Sequence, residues 1–241
     1  MAKETRKGEI RMIVFLGLRY KRVNQAIIAI AGAMVYVPSV LYAAEQKFAD
    51  IKSIALGPQA VVLTIKSFSD KSAKPVVKVD VKSMPGRLAH WHILPNGVLT
   101  LDVVDEESKI KVNSASPLAV AVNIPEDWSG RWAFLGGGHR ILGQALKLKY
   151  LDISLVGAVN PCELSGEIDV MRVSIVGSVK WQSPNLSVRL LEWNAIGEGE
   201  AKVRVNERLW GSLLGGWQLG YSGKPSLVNI SVNGGSKLVK E

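Results

Sequence analysis

The chain has 241 residues, 47% of them apolar and 21% charged, a balance that excludes disordered and collagen-like proteins. Its net charge of +9 is unevenly placed: seven Lys and Arg stand before residue 45 against Glu4 and Glu9, leaving about +4 for the rest. With no basic stripe interleaved with aromatics, nucleic acid is excluded as a partner. The single cysteine, Cys162, excludes an internal disulfide, and its setting in NPCE reads as a small buried hydrophobe.

From the N-terminus, RYKR leads into AIIAIAGAMVYVPSVLYAA (26–44), nineteen positions without a charge. A basic flank, an apolar run and small residues make the pattern of a secretory signal, cleaved after Ala43 or Ala44. An uncleaved membrane anchor is the alternative, because nineteen apolar residues just suffice to span a bilayer. Either reading exports the remainder, since positive charge stays inside. Residues 1–44 are therefore read as signal or anchor, and 45–241 as one domain. The membrane is a partner only through the first segment.

Alternating apolar and polar residues then predict strands in 54–67, 76–83, 97–104, 110–113 and 118–125, separated by turns such as FSDKSAKP and LPNG. They are expected to form either the irregular first coils of a solenoid that continues beyond residue 130 or a small sheet capping it.

Beyond residue 130 the chain repeats itself. LDISLVG (151–157), MRVSIVG (171–177), LEWNAIG (191–197) and LWGSLLG (209–215) recur at spacings of 20, 20 and 18. A fainter copy, RWAFLGG (131–137), precedes them, with Arg131 breaking the apolar pattern. A fixed period near 20 is the mark of a solenoid whose units bury their inner faces only by stacking. Within each unit the period is two, so the units are strands. Counting back from the glycine, positions −6, −4 and −2 point inward: Leu151/Ile153/Leu155, Met171/Val173/Ile175, Leu191/Trp193/Ala195 and Leu209/Gly211/Leu213. The glycines serve as a column of sharp bends. The fold class is all-β, a single-stranded parallel β-helix, right-handed like other β-crossovers, preceded by irregular strands. Trp128 and Trp132 are expected to cap its open end or meet a partner.

The closing stretch RLWGSLLGGWQLGYSGKPSLVNISVNGGSKLVKE (208–241) resembles the auto-transporter adhesins with a head-GIN domain. The family pattern there is a strand, a glycine pair, then tyrosine, glycine and proline, then a strand ending in a glycine-rich turn. Gly215, Gly216, Tyr221, Gly223, Pro225, Gly234 and Gly235 occupy those places. GPQAVVLTIKS and NGVLTLDV resemble its opening strands, so the resemblance covers most of 50–241. It implies an exported bacterial β-helix of the envelope or cell surface, and it supplies no catalytic residue.

The outward columns are the place to seek a site. Position −5 holds Asp152, Arg172, Glu192 and Trp210; position −3 holds Ser154, Ser174, Asn194 and Ser212. One reading is a solvated ladder of weak cross-strand pairs. The other is a polar strip ending in an exposed aromatic, which suits a polysaccharide or a cell-surface protein. Asp152, Arg172, Glu192, Asn194 and Trp210 are then the ligand-binding candidates. A polysaccharide lyase would need carboxylates held together, and no column stacks acid on acid. His90 and His92 share one strand face in HWH, too few ligands for zinc, and GGGHR (136–140) reads as a bend, not a phosphate loop. No catalytic residue, metal or cofactor is expected, and the protein is read as a non-enzymatic surface protein. A structural envelope protein without a specific ligand is the rival.

Overall fold

In the computed structural model, residues 28–30, 33–35, 46–49, 51–57, 60–69, 76–81, 87–105, 117–126 and 128–241 are described. The chain divides into two compact units, Met1–Leu41 and Tyr42–Glu241. In the first, strands β1 (Ile28–Ile30) and β2 (Ala33–Val35) pair antiparallel. The rest of the expected targeting segment lies outside the described residues. Among the described residues no helix is long and apolar enough to cross a membrane.

The second unit is all-β, with no helix among its described residues. Its strands are β3 (Gln46–Ala49), β4 (Ser53–Leu56), β5 (Val61–Phe68), β6 (Val76–Val81), β7 (Arg87–Ile93), β8 (Val98–Asp105), β9 (Leu118–Pro125), β10 (Ser129–Ser222), β11 (Leu227–Gly234) and β12 (Lys237–Lys240). The strand expected at 110–113 lies outside the described residues.

β10 runs for 94 residues without interruption. Fully extended it would reach roughly 300 Å, so it must double back on itself. It does so at the glycines. Gly177 has φ +136°, and a Cβ placed there would run into the carbonyl oxygen of Gly157; Gly197 stands over Gly177 and Gly215 over Gly197 in the same way. Each bend thus lies on the previous one, one repeat earlier. The last rung is paired by β11, parallel, with Leu209 beside Val228 and Gly215 beside Gly234. β12 continues that rung along Gln218–Tyr221.

The inward columns are where alternation placed them, except that Gly211 is only half-buried. Leu151, Ile153, Leu155, Met171, Val173, Ile175, Leu191, Trp193, Ala195, Leu209 and Leu213 are all buried. After each bend the chain also turns apolar side chains inward. Trp181 and Trp217 lie there, and their rings meet Trp193 edge-on at 5.1 and 6.4 Å between centroids. Burying each indole is worth roughly 4–6 kcal/mol gross. The space for Trp217 comes from Gly199, where an added Cβ would lie 2.8 Å from the indole. A large ring on one rung is balanced by a missing side chain on the next, as close packing requires.

Two expectations are corrected here. The faint copy bends at Gly136, not Gly137: an added Cβ on Gly157 would strike the Gly136 carbonyl. The rung is therefore shifted by one residue, which turns Arg131 outward and buries Trp132 and Phe134. Trp132 is consequently a core residue and not an end cap. Trp128 is buried as well, and its indole donates to the Ile51 carbonyl at 2.8 Å.

The front strands pair in two ways. β4 and β5 lie parallel on the first rung of β10, and β8 and β9 lie parallel on β4 and β5. Beyond them the pairing turns antiparallel, with β7 on β8, β6 on β9 and β3 on β6. β4 and β5 thus sit between β8 and β9 on one side and residues 131–134 and 140–144 of β10 on the other, an order that no reading along the chain reveals. One continuous apolar core runs from Ile51 on the front strands to Leu219 on β10.

Candidate functional site

Because every rung keeps the same phase from bend to bend, outward side chains of equal position form columns along one flank. The −5 column runs Arg131, Asp152, Arg172, Glu192, Trp210, with Asn229 paired beside Trp210. Arg131 donates from Nε and Nη2 to Oδ2 of Asp152 at 2.9 and 2.7 Å. These hydrogen bonds and the carboxylate charge raise the guanidinium's pKa further. Arg172 Nε lies 3.1 Å from Glu192 Oε2, and its guanidinium carbon is 6.0 Å from the centre of the Tyr150 ring. In the −3 column, Asn194 donates to Glu192 at 3.1 Å, and the Ser212 hydroxyl donates to Asn194 Oδ1 at 2.9 Å.

Arg131, Asp152, Arg172, Glu192 and Asn194 line a shallow depression of about 280 Å³, in which Ser154 and Ser174 separate the charged column from the bends. Four of the five candidates, Asp152, Arg172, Glu192 and Asn194, therefore share one concavity. Trp210 does not line it. The indole sits half-buried on the next rung, at the end of the same column.

Arg131 is a member of the site that sequence reasoning misses. Its place at the head of the column follows from the one-residue shift at Gly136, and the alternation of Trp132 with Phe134 is the sequence signal for it. A column at position −1 is missed in the same way. Leu135, Val156, Val176, Ile196 and Leu214 are all exposed, one per rung, directly before the bends.

A second, separate ladder joins Asp169, Arg189 and Glu207. Arg189 donates from Nε and Nη2 to Asp169 and from Nη1 to Glu207, the last at 2.7 Å. The guanidinium holds the Asp169 carboxyl below its ordinary range.

Cys162 and His139 are buried and do not line this depression. Cys162 is fully buried, which pushes its thiol well up and leaves it protonated. His139 is buried beside Phe134, with Nε2 3.2 Å from the Leu135 carbonyl, and desolvation lowers its pKa. On β7, His90 and His92 stand opposite Asp102 and Thr100. Among the described residues no cluster of three or more His, Cys, Asp or Glu could hold a metal ion.

Rungs stacked in parallel, bent at glycines and bearing an outward polar flank define an all-β protein built on a repeated strand. Residues 93–225, more than half of the chain, match the family model described as "Putative auto-transporter adhesin, head GIN domain", and the chain belongs to that family. Among the solved structures that the chain is similar to are three crystal structures. A putative adhesin from Bacteroides fragilis shares 14% identity over 85% of this chain and 99% of its own, with a TM-score of 0.49. A putative lipid binding protein from Parabacteroides distasonis shares 15% over 83% and 97%, at 0.36. A putative cell adhesion protein from Clostridium sporogenes shares 10% over 82% and 99%, at 0.25. No curated protein matches the chain.

Proposed function

We propose that this is an exported, non-enzymatic adhesion protein whose rungs wind as a right-handed parallel β-helix and whose flank binds a partner displayed at a cell surface. The observation that carries the reading is the concavity lined by Asp152, Arg172, Glu192 and Asn194. Such a surface offers charged groups, hydroxyls and amides at a regular spacing of about 4.8 Å, suited to a polysaccharide or to an extended face of a surface protein. Trp210, at the end of the column, supplies an aromatic platform.

Catalysis finds little support on this flank. Asp152 and Glu192 stand two rungs apart, roughly 10 Å along the stack, and each carboxylate is engaged by an arginine. Neither is free to act as acid or base. The same pairing favours the rival reading, a structural envelope protein, because internally neutralised charges make an inert wall.

Binding of the purified protein to immobilised polysaccharides and to whole bacterial cells separates the two. The Arg172→Ala, Trp210→Ala double variant is expected to lose at least about 1.4 kcal/mol, or tenfold in affinity. Unchanged binding by that variant, or no binding by the parent chain, rejects the flank as an adhesive surface.

A further inference from the structure

The −5 column carries charges in the order plus, minus, plus, minus: Arg131, Asp152, Arg172, Glu192. An alternating row with an even number of members is its own complement when reversed. Beside it on the same face run the hydroxyl and amide column and then the aliphatic column, where Leu135, Val156, Val176, Ile196 and Leu214 are 44–55% exposed. Five aliphatic side chains at rung spacing make an uninterrupted ridge about 19 Å long. Scattered exposed apolar residues need no explanation, but a continuous row does.

We infer that the occupant of this flank is a second copy of the same chain, bound flank to flank about a two-fold axis lying along the strands. The inference rests on the reading of the flank as a binding surface and names its partner. Such an axis reverses the order of the rungs while leaving each column facing itself. Arg131 then meets Glu192 of the partner subunit, and Asp152 meets the partner's Arg172. Val156 meets the partner's Val176, and Leu135 the partner's Ile196. The sizes agree as well. The rung beyond Arg131 is Ser53, Ala55 and Gly57, with Ser53 paired beside Arg131. Reversal brings the bulky Trp210 over Ser53 and Leu214 over Gly57. The two sheets pack aligned, as in a sandwich. The other charged ladder, Asp169–Arg189–Glu207, is headed one rung earlier by exposed Lys149 and alternates in the same way. What sets the first flank apart among the described residues is the aliphatic ridge beside its charges.

Charge exchange tests this. By analytical ultracentrifugation the full chain is expected to dimerise reversibly. Arg172→Glu alone sets glutamate against the partner's Asp152 twice, and Asp152→Arg alone sets arginine against the partner's Arg172 twice. Each single variant should associate at least about tenfold more weakly. An equimolar mixture of the two places opposite charges at every position and should recover association to within about threefold of the parent, with circular dichroism confirming that each variant is folded. A monomeric parent chain, single variants that dimerise normally, or a mixture that fails to recover would each overturn the inference. A monomeric parent that nonetheless binds polysaccharide through this flank would overturn it while leaving the adhesive reading intact. A parent that neither self-associates nor binds polysaccharide or cells would overturn both.

Discussion

At the scale of the residue, the stack is made possible by what glycine lacks. At Gly177 two requirements coincide: φ is +136°, and the carbonyl of Gly157 fills the place a side chain would take. Gly177→Ala therefore incurs backbone strain and a steric clash together, and about 3 kcal/mol of stability should be lost. Gly137 provides the control. A Cβ there would meet only the Ala158 Cβ, at an ordinary 3.8 Å, and Gly137→Ala should be nearly neutral. Urea unfolding followed by tryptophan fluorescence measures both, and equal losses at the two positions would contradict the stacked bend. The requirement at Gly177 was legible from its periodic recurrence. The bend of the first rung was not, because GGG at 136–138 offers adjacent glycines and only the overlying rung selects Gly136.

At the scale of the element, each rung contributes one side chain to every column, and the columns decide what the surface can do. The Asp169–Arg189–Glu207 ladder is exposed, so its contribution is small and screened by salt. Its pH dependence nevertheless has a definite sign. Because Arg189 lowers the Asp169 pKa, the stabilisation is present above the unfolded carboxyl value near 3.9 and lost as pH falls through the lower folded value. Arg189→Ala should accordingly be slightly less stable than the parent at pH 7. The gap should close well below pH 4, as thermal melts across that range would show. A gap that widened in acid would exclude this assignment. The alternation of Asp152, Arg172 and Glu192 was readable from spacing alone. Their union with Arg131 in one concavity was not, since it depends on the corrected phase of the first rung.

At the scale of the whole molecule, a stack of like rungs is stabilised by nearest neighbours, so it should tolerate the loss of one complete unit. Excising residues 171–190 joins Val170 to Leu191 and keeps every column in phase. That shortened chain is expected to retain its β circular dichroism and a cooperative, weakened unfolding transition. Excising 171–180 alone removes half a unit and brings bend positions against strand positions. That chain should not fold. If both behave alike, equivalent side chains do not stack at this period. The front strands fall outside this logic, because β4 and β5 lie between segments that come later in the chain.

The amino-acid order by itself determined what is local or periodic: an all-β chain, strands of alternating face, bends at recurring glycines, and Trp193 inside. Alternation follows from backbone geometry and stacking from a repeated length, and both can be counted along the chain. Only the tertiary structure decided which segments lie against which. It placed Trp181 and Trp217 against Trp193, opened the room over Gly199, set β4 and β5 between later rungs, and joined Arg131 to Asp152. Those outcomes depend on contacts between distant positions, where packing volume and not spacing selects the partner.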